Sequence, residues 1–462
     1  MPQIENAHGI TFTAAAPASV AAFDKTVHKY LSFRKDTGEA LKALLEIEPD
    51  MPMALCLRGN FFMLMGVRGL VGKALQAAQK LEQRTDLNAR ERQHVAALLA
   101  WCNDSLARAT QIWDEIAAEH PRDIFAIKMA HFGHFYLGNP RGIRDCVARA
   151  LDFWSERDDA HSYLMSMYAF GLEECGNPWQ AEAVARDAVA RQPADPWGIH
   201  AVAHALEATG RTADGISWIE SVGDHATDHN NFRYHLAWHK ALFRFEQGDY
   251  DGALRDYDEF VFADTATEYL DICNDASMLM RLELGGASPG ERWRAAAAKV
   301  APRIDERVLA FADVHYVLAL SSSPDPAHRE MARSMTASME TYAGTGADNA
   351  LSYRVAAVPA ARAVLAFRDQ QYGDAVRFLD LAAPGLHCMG GSNAQRDLFS
   401  ELKSAGLYHH DPKSTDTAAF LAARSRSHPG NRRNWTLYLD TLARRGDTAA
   451  SQAAQARMAA PH

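Results

Sequence analysis

The chain has 462 residues, 48% hydrophobic and 23% charged, with a formal net charge of −10. That is ample material for a buried core, and with no run of five or six like charges it excludes a basic nucleic-acid tail or a polybasic membrane anchor. Six scattered cysteines (Cys56, Cys102, Cys146, Cys175, Cys273, Cys388) form no C-x-x-C pair, which excludes a zinc knuckle and a secreted disulfide framework.

The opening MPQIENAHGITFTAAAPASV has no basic segment followed by an apolar one, and no run of about 18 apolar residues follows anywhere. The expectation is a cytoplasmic, soluble protein with neither membrane nor nucleic acid as partner. Residues 1–20 read as an N-terminal tail. From there a turn residue recurs: Gly66, Asp104, Gly138, Gly176, Gly210 and Gly248 stand 38, 34, 38, 34 and 38 residues apart. A period in this range marks a solenoid of two-helix units. Seven residues before a turn stands a small residue (Gly59, Ala97, Ala169, Ala203, Ala241), and five after it often another (Ala109, Ala181, Gly215, Ala253). Small side chains there let paired helices approach closely. Pro121 and Pro193 stop second helices, because proline has no amide hydrogen and clashes with the preceding turn.

This pattern resembles the tetratricopeptide repeat, with QGDYDGAL (247–254) the fullest match. The predicted fold is all-α, an α-α superhelix of tetratricopeptide-like two-helix repeats in one domain over 21–462. Repeats are clear over 50–260 and divergent over 261–462, with units around Gly285, at 361–380 and at 434–451. SSSPDPAHRE (321–330) and GTGADNALS (344–352) read as loops by composition. The motifs MYAFGLEE, HAVAHALEATGR, HKALFRFEQGDYD and GGSNAQRDLF, in that order, are similar to the tetratricopeptide repeat protein thirty-eight family. That resemblance implies the fold and leaves the activity open.

Counting each turn residue as position 15, the repeat resemblance implies that positions 2, 5, 9, 12 and 13 of first helices face the concave groove. His200, His204 and Glu207 fall at 5, 9 and 12, and in the next unit His235 and His239 fall at 2 and 6. Each pair is spaced i, i+4 and shares a helical face. Two such pairs on consecutive units can bind zinc, iron or another divalent metal through His200, His204, His235 and His239. Without metal they can act as acid and base, tuned by Glu207. They can equally be buried histidines that fill space and bond to carbonyls. That is the reading for His131, at position 8, and His134, at position 11.

Two further clusters are candidates. In HCMGGSNAQRDLF, paired glycines lead into a helix whose free first-turn amides can hold an anionic group with Arg396 beside it, so Ser392, Asn393, Gln395 and Arg396 are expected to bind substrate. The alternative is a helix cap by Ser392 or Asn393 with Arg396 and Asp397 in structural ion pairs. A Cys388–His387 nucleophile is discounted, because chain neighbours rarely face each other. Asp313 and His315 are the last candidates for the groove. The leading functional expectation is a small-molecule site catalysing hydrolysis or elimination on a small polar or carboxylated substrate. This holds if the superhelix curls enough to bring residues near 390 to the histidines. The other expectation is a scaffold that binds a peptide or protein in its groove. Homodimerisation through the terminal repeats is also open.

Overall fold

The computed structural model describes residues 1–222 and 228–458, and they form an all-α superhelix of tetratricopeptide-like two-helix units. The first helices of the clear units are Pro52–Leu64, Ala89–Cys102, Ile124–Tyr136, His161–Glu174, Pro196–Ala208 and Phe232–Glu246. Their partners are Arg68–Glu82, Leu106–Glu119, Pro140–Ala148, Pro178–Arg191, Thr212–Ser221 and Tyr250–Asp256. Each pair reverses at the turn residue read from the sequence. Gly66, Gly138, Gly176, Gly210 and Gly248 all have positive φ, between +61° and +82°, and Asp104, in glycine's place, has +62°. One left-handed residue ends the helix and frees the chain to turn back, and aspartate tolerates that conformation better than most.

The small residues act as expected. Ala97, Ala169, Ala203 and Ala241 are wholly buried. A Cβ on Gly59 would lie 2.5 Å from Leu98, and one on Gly215 would strike the ring of Phe243 at 2.4 Å. Leu106–Glu119 ends before Pro121 and Pro178–Arg191 before Pro193.

The structure departs from the sequence reading in two places. Residues 1–20 are not a tail. Strands Gln3–Glu5 and Thr11–Thr13 pair antiparallel, and Thr13 donates to the Glu91 carboxylate through its amide (2.7 Å) and its hydroxyl (2.5 Å) before helix Pro17–Leu31 begins. The unit expected around Gly285 is present, Tyr269–Leu284 and Arg292–Val300, with Gly286 (φ +94°) in its turn. Of the two predicted loops, 321–330 is mostly helix, while 344–349 is a loop as expected. Asp325 caps Pro326–Ala343 by accepting from the Ala327 amide, so the Pro and Asp of SSSPDPAHRE mark a helix start. The end of GTGADNALS likewise opens a helix that runs continuously over Ala350–Arg368. That helix is long and apolar enough to cross a membrane, but more than half of it is buried inside the protein.

The superhelix coils until its early turns meet its late ones. Gly138 abuts the backbone of His387, Gly390 that of Tyr136, and Gly210 packs on Pro429. The last units are tied in by a buried polar network in which Glu401 accepts from Arg424 (2.7 Å), Arg433 (2.7 Å) and Asn431 (2.5 Å). A Cβ at Gly138 would fall 1.8 Å from the His387 carbonyl oxygen, whereas one at Gly176 (φ +82°) meets nothing within 4 Å. Gly176→Ala should therefore cost only the left-handed backbone penalty, about 1–2 kcal/mol. Gly138→Ala should cost about 1–3 kcal/mol more, because it also forces the two halves apart. Urea unfolding of both variants measures the difference.

Candidate functional site

Close helix approach brings the histidines of two consecutive first helices into one cluster. Nε2 of His200 lies 3.1 Å from Nε2 of His235 and 3.0 Å from Nε2 of His204. The His239 ring centroid is 5.0, 4.7 and 4.9 Å from those of His200, His204 and His235. All four rings are at most 3% exposed, and neither ring nitrogen of His239 has a hydrogen-bond partner. Burial holds His200 and His239 well below the ordinary imidazole range, and pulls His235 down to about 3 against its bond to Asn274. Burial also pulls on His204, but the Glu173 carboxylate, with Glu174 and Glu207 behind it, outweighs that and raises it.

The carboxylate beside this cluster is not the expected one. Glu173 Oε2 lies 3.3 Å from Nδ1 of His204, at ion-pair distance but without hydrogen-bond geometry. Glu173, Glu174 and His204 form a second close group of potential ligands. Glu207 is half-buried and joins neither group; its strongest electrostatic neighbours are His428 and Asp397. Glu173 sits at position 12 of its unit, as Glu207 does of the next. A carboxylate there reaches the histidine one unit further on, so the residue to pick was one repeat earlier.

The helix Asn393–His410 does hold an anionic group at its N-terminus, and the group belongs to the chain itself. The Asn393 amide donates to Glu174 Oε1 (2.8 Å), and Arg396 lies 3.5 Å from Glu174 Oε2. Ser392 and Gln395 form a capping box, Ser392 Oγ accepting from the Gln395 amide (3.2 Å) and Gln395 Oε1 from the Ser392 amide (2.8 Å). Asn393 and Arg396 are thus engaged by Glu174. Asp397 pairs with both Arg424 terminal nitrogens at 2.6 Å.

The superhelix does curl enough to make a cavity. About 160 Å³ lies between Tyr30, Phe33, Phe132, Tyr136, Trp197, Phe232 and Tyr269, with His200, His235, Asn230, Asn231, Glu268 and Asp271 among its polar residues and Met389, Gly391, Ser392 and Gln395 closing it from the C-terminal half. Among the described residues no lysine or arginine lines it. Burial raises both acids, Asp271 to about 7. A larger cavity of about 620 Å³, lined by Asn6, Asp24, His28, Arg122 and Tyr163, lies away from the histidines. The unpartnered imidazoles, not volume, single out the smaller one.

The remaining candidates lie outside it. Asp313 is buried against Arg307 (2.8 Å) and the Tyr353 hydroxyl (2.8 Å). His315 bonds through Nδ1 to the Phe311 carbonyl (2.8 Å) and packs behind that ring, which itself lines the cavity. His131 is a core residue, its Nδ1 3.3 Å from the Ile143 carbonyl, and His134 bonds to Asp114 (2.9 Å). Cys388 Sγ does come within 3.4 Å of His387 Nε2, but burial raises the thiol rather than activating it.

Lys128 was not singled out, although it occupies position 5 of its unit, as His200 does of its own. It is 1% exposed, with its ammonium 4.3, 4.7, 5.0 and 6.0 Å from the ring centres of Phe132, Trp197, Phe33 and Tyr30. These four rings also line the cavity. Burial pushes its pKa down to about 7, against the pull of Asp195. The folded chain therefore releases this proton near pH 7, while the unfolded chain keeps it to about pH 10.4. Between those values the unfolded state binds more protons, so the burial penalty is full below pH 7 and is relieved as pH rises. Stability relative to Lys128→Met should climb by about 1.4 kcal/mol per pH unit between roughly pH 7 and 10. Denaturant unfolding of both proteins across that range checks the slope.

No family model matches the chain. Among solved structures it is similar to a Rap protein complexed with competence and sporulation factor, at 12% identity and TM-score 0.44 over 71% of this chain and 98% of that one. It is also similar to yeast Tom70, at 12% identity and TM-score 0.32 over 95% and 90%. These are likenesses of helical-repeat architecture.

Proposed function

We propose that the protein binds a small, uncharged or amine-bearing molecule in the aromatic cavity and acts on its polar end by hydrolysis or elimination. The observation that carries this reading is the lining: a space of about 160 Å³ is ringed by aromatic side chains with two imidazoles in its wall. That is close to the space of one benzene-sized ring. Rings surround the apolar body of such a ligand, and His200, His235, Ser392 and Gln395 meet its polar end. The residues of MYAFGLEE, HAVAHALEATGR, HKALFRFEQGDYD and GGSNAQRDLF supply Glu173, Glu174, His200, His204, His239, Ser392 and Gln395 to this one region. That convergence supports placing the chain with the tetratricopeptide repeat protein thirty-eight family.

A second reading, a scaffold for a peptide or protein partner, is favoured by a different feature. A cleft of about 770 Å³ lined by Arg34, Lys35, Lys42, Arg58, Phe61 and Phe62 shares Tyr30, Phe33, Leu64, Asn230 and Glu268 with the cavity and leads into it. An acidic segment with one aromatic anchor matches its chemistry.

Leu64→Trp narrows the passage between cleft and cavity. Screening small aromatic esters, amides and amines by thermal shift and product detection should yield ligands of the wild type whose affinity or turnover falls at least tenfold in Leu64→Trp, which equals about 1.4 kcal/mol or more. Ligands that bind both proteins equally, or a screen in which only acidic peptides bind, would reject the small-molecule reading.

A further inference from the structure

We propose that His200, His204, His235 and His239 hold a divalent first-row transition-metal ion, zinc being the ion whose geometry they match. One ring nitrogen of each lies within 4.8 Å of one on every other. The two closest edges, Nε2 to Nε2, are 3.1 Å for His200–His235 and 3.0 Å for His200–His204. Four nitrogens bound to zinc at about 2.0–2.1 Å stand about 3.3–3.4 Å apart at the corners of a tetrahedron. Two edges are thus already near that spacing and the others lie within 4.8 Å, so rings from two helices are gathered before any ion draws them together.

Bare imidazoles account poorly for this arrangement. A neutral ring has one N–H and one lone pair, yet Nε2 of His200 faces two other Nε2 atoms, and its Nδ1 has no partner. His239 is fully buried with both nitrogens unbonded. Buried polar groups are almost always satisfied, and four lone pairs converging on one point are satisfied by a cation.

The surroundings complete such a site. The Nδ1–H of His235 donates to Asn274 Oδ1 (3.0 Å), which turns the Nε2 lone pair toward the cluster. Glu173 stands behind Nδ1 of His204 at 3.3 Å. Metal-ligating histidines are ordinarily oriented by such carboxylate or carbonyl partners. Glu174, also buried, faces Arg396 at 3.5 Å, while Glu173 faces His204, so the carboxylate behind the cluster is directed at a ligand ring. His200 and His235 also line the cavity, so the ion would sit at its polar end. The site stands whatever the cavity binds.

The test uses tag-free, full-length protein purified without chelator or added metal. Elemental analysis should find about one zinc, or another first-row divalent metal, per chain. His239→Gln and His204→Gln, checked for folding by circular dichroism, should retain at most a fifth of it. Stripped wild-type protein reloaded with cobalt(II) should show the intense visible bands of a tetrahedral nitrogen site, and zinc should raise its unfolding midpoint by about 2 °C or more. A folded wild type that takes up less than about a tenth of an equivalent of zinc, iron(II) or cobalt(II) and whose midpoint does not move would overturn the proposal. So would either variant keeping full stoichiometry. Because the wild type alone decides the first point, a variant that fails to fold does not rescue the idea.

Discussion

The inside of this superhelix depends on how closely successive first helices can lie. Wholly buried alanines recur at position 8, and glycine stands where even a methyl group would collide, as at Gly59 against Leu98. At that separation the position-5 side chains of successive units, Cys56, His94, Lys128, Ser166, His200 and Trp238, are all buried in the interior. Several of them are polar. Dispersion and area burial hold such a stack together, but a buried polar residue must then find its partners among its neighbours rather than in water.

The units solve that requirement differently. His94 shares Asp123 with Arg90, at 3.0 and 2.6 Å, and there desolvation of the carboxylate is more than offset by the Arg90 guanidinium with His94 beside it, so its pKa is driven far down. Lys128 is set among four rings, with Asp195 as the charge that pulls against its desolvation. The histidines of the next two units meet one another, leaving nitrogens unbonded. Unbonded buried polar atoms occur along the interior, His94 Nδ1 and His131 Nε2 among them, but in the four-histidine cluster His239 leaves both ring nitrogens unbonded, and its neighbour His200 lines the cavity. Unmet buried groups concentrated beside a cavity are a better guide to function than volume.

Much of the architecture was legible because it rests on local rules. The left-handed turn, the small residue and the stopping proline each report on a few neighbouring atoms, and even Asp104 in a glycine place was readable from its register. The convergence of four imidazoles was legible too, since i, i+4 spacing and repeat counting fix which face each occupies. What was not legible depended on long-range closure. That Glu173 rather than Glu207 stands behind His204 follows from the stagger between adjacent units. That Arg396 is held by Glu174 requires residues 222 apart to meet. The aromatic wall draws on Tyr30, Tyr136, Trp197 and Tyr269, which share no motif. The N-terminal hairpin was missed because three-residue strands carry too little alternation to be read.

The contact between Glu174 and the start of helix Asn393–His410 has a consequence for how the chain matures. On the ribosome the early coils emerge first and domains form as their sequence appears. Until Met389, Gly391, Ser392 and Gln395 have been made, the hollow lacks a wall and Glu174 lacks its amide donor. The imidazoles are therefore open to water and to passing solutes for most of synthesis and are shut in only when the last third of the polypeptide wraps back.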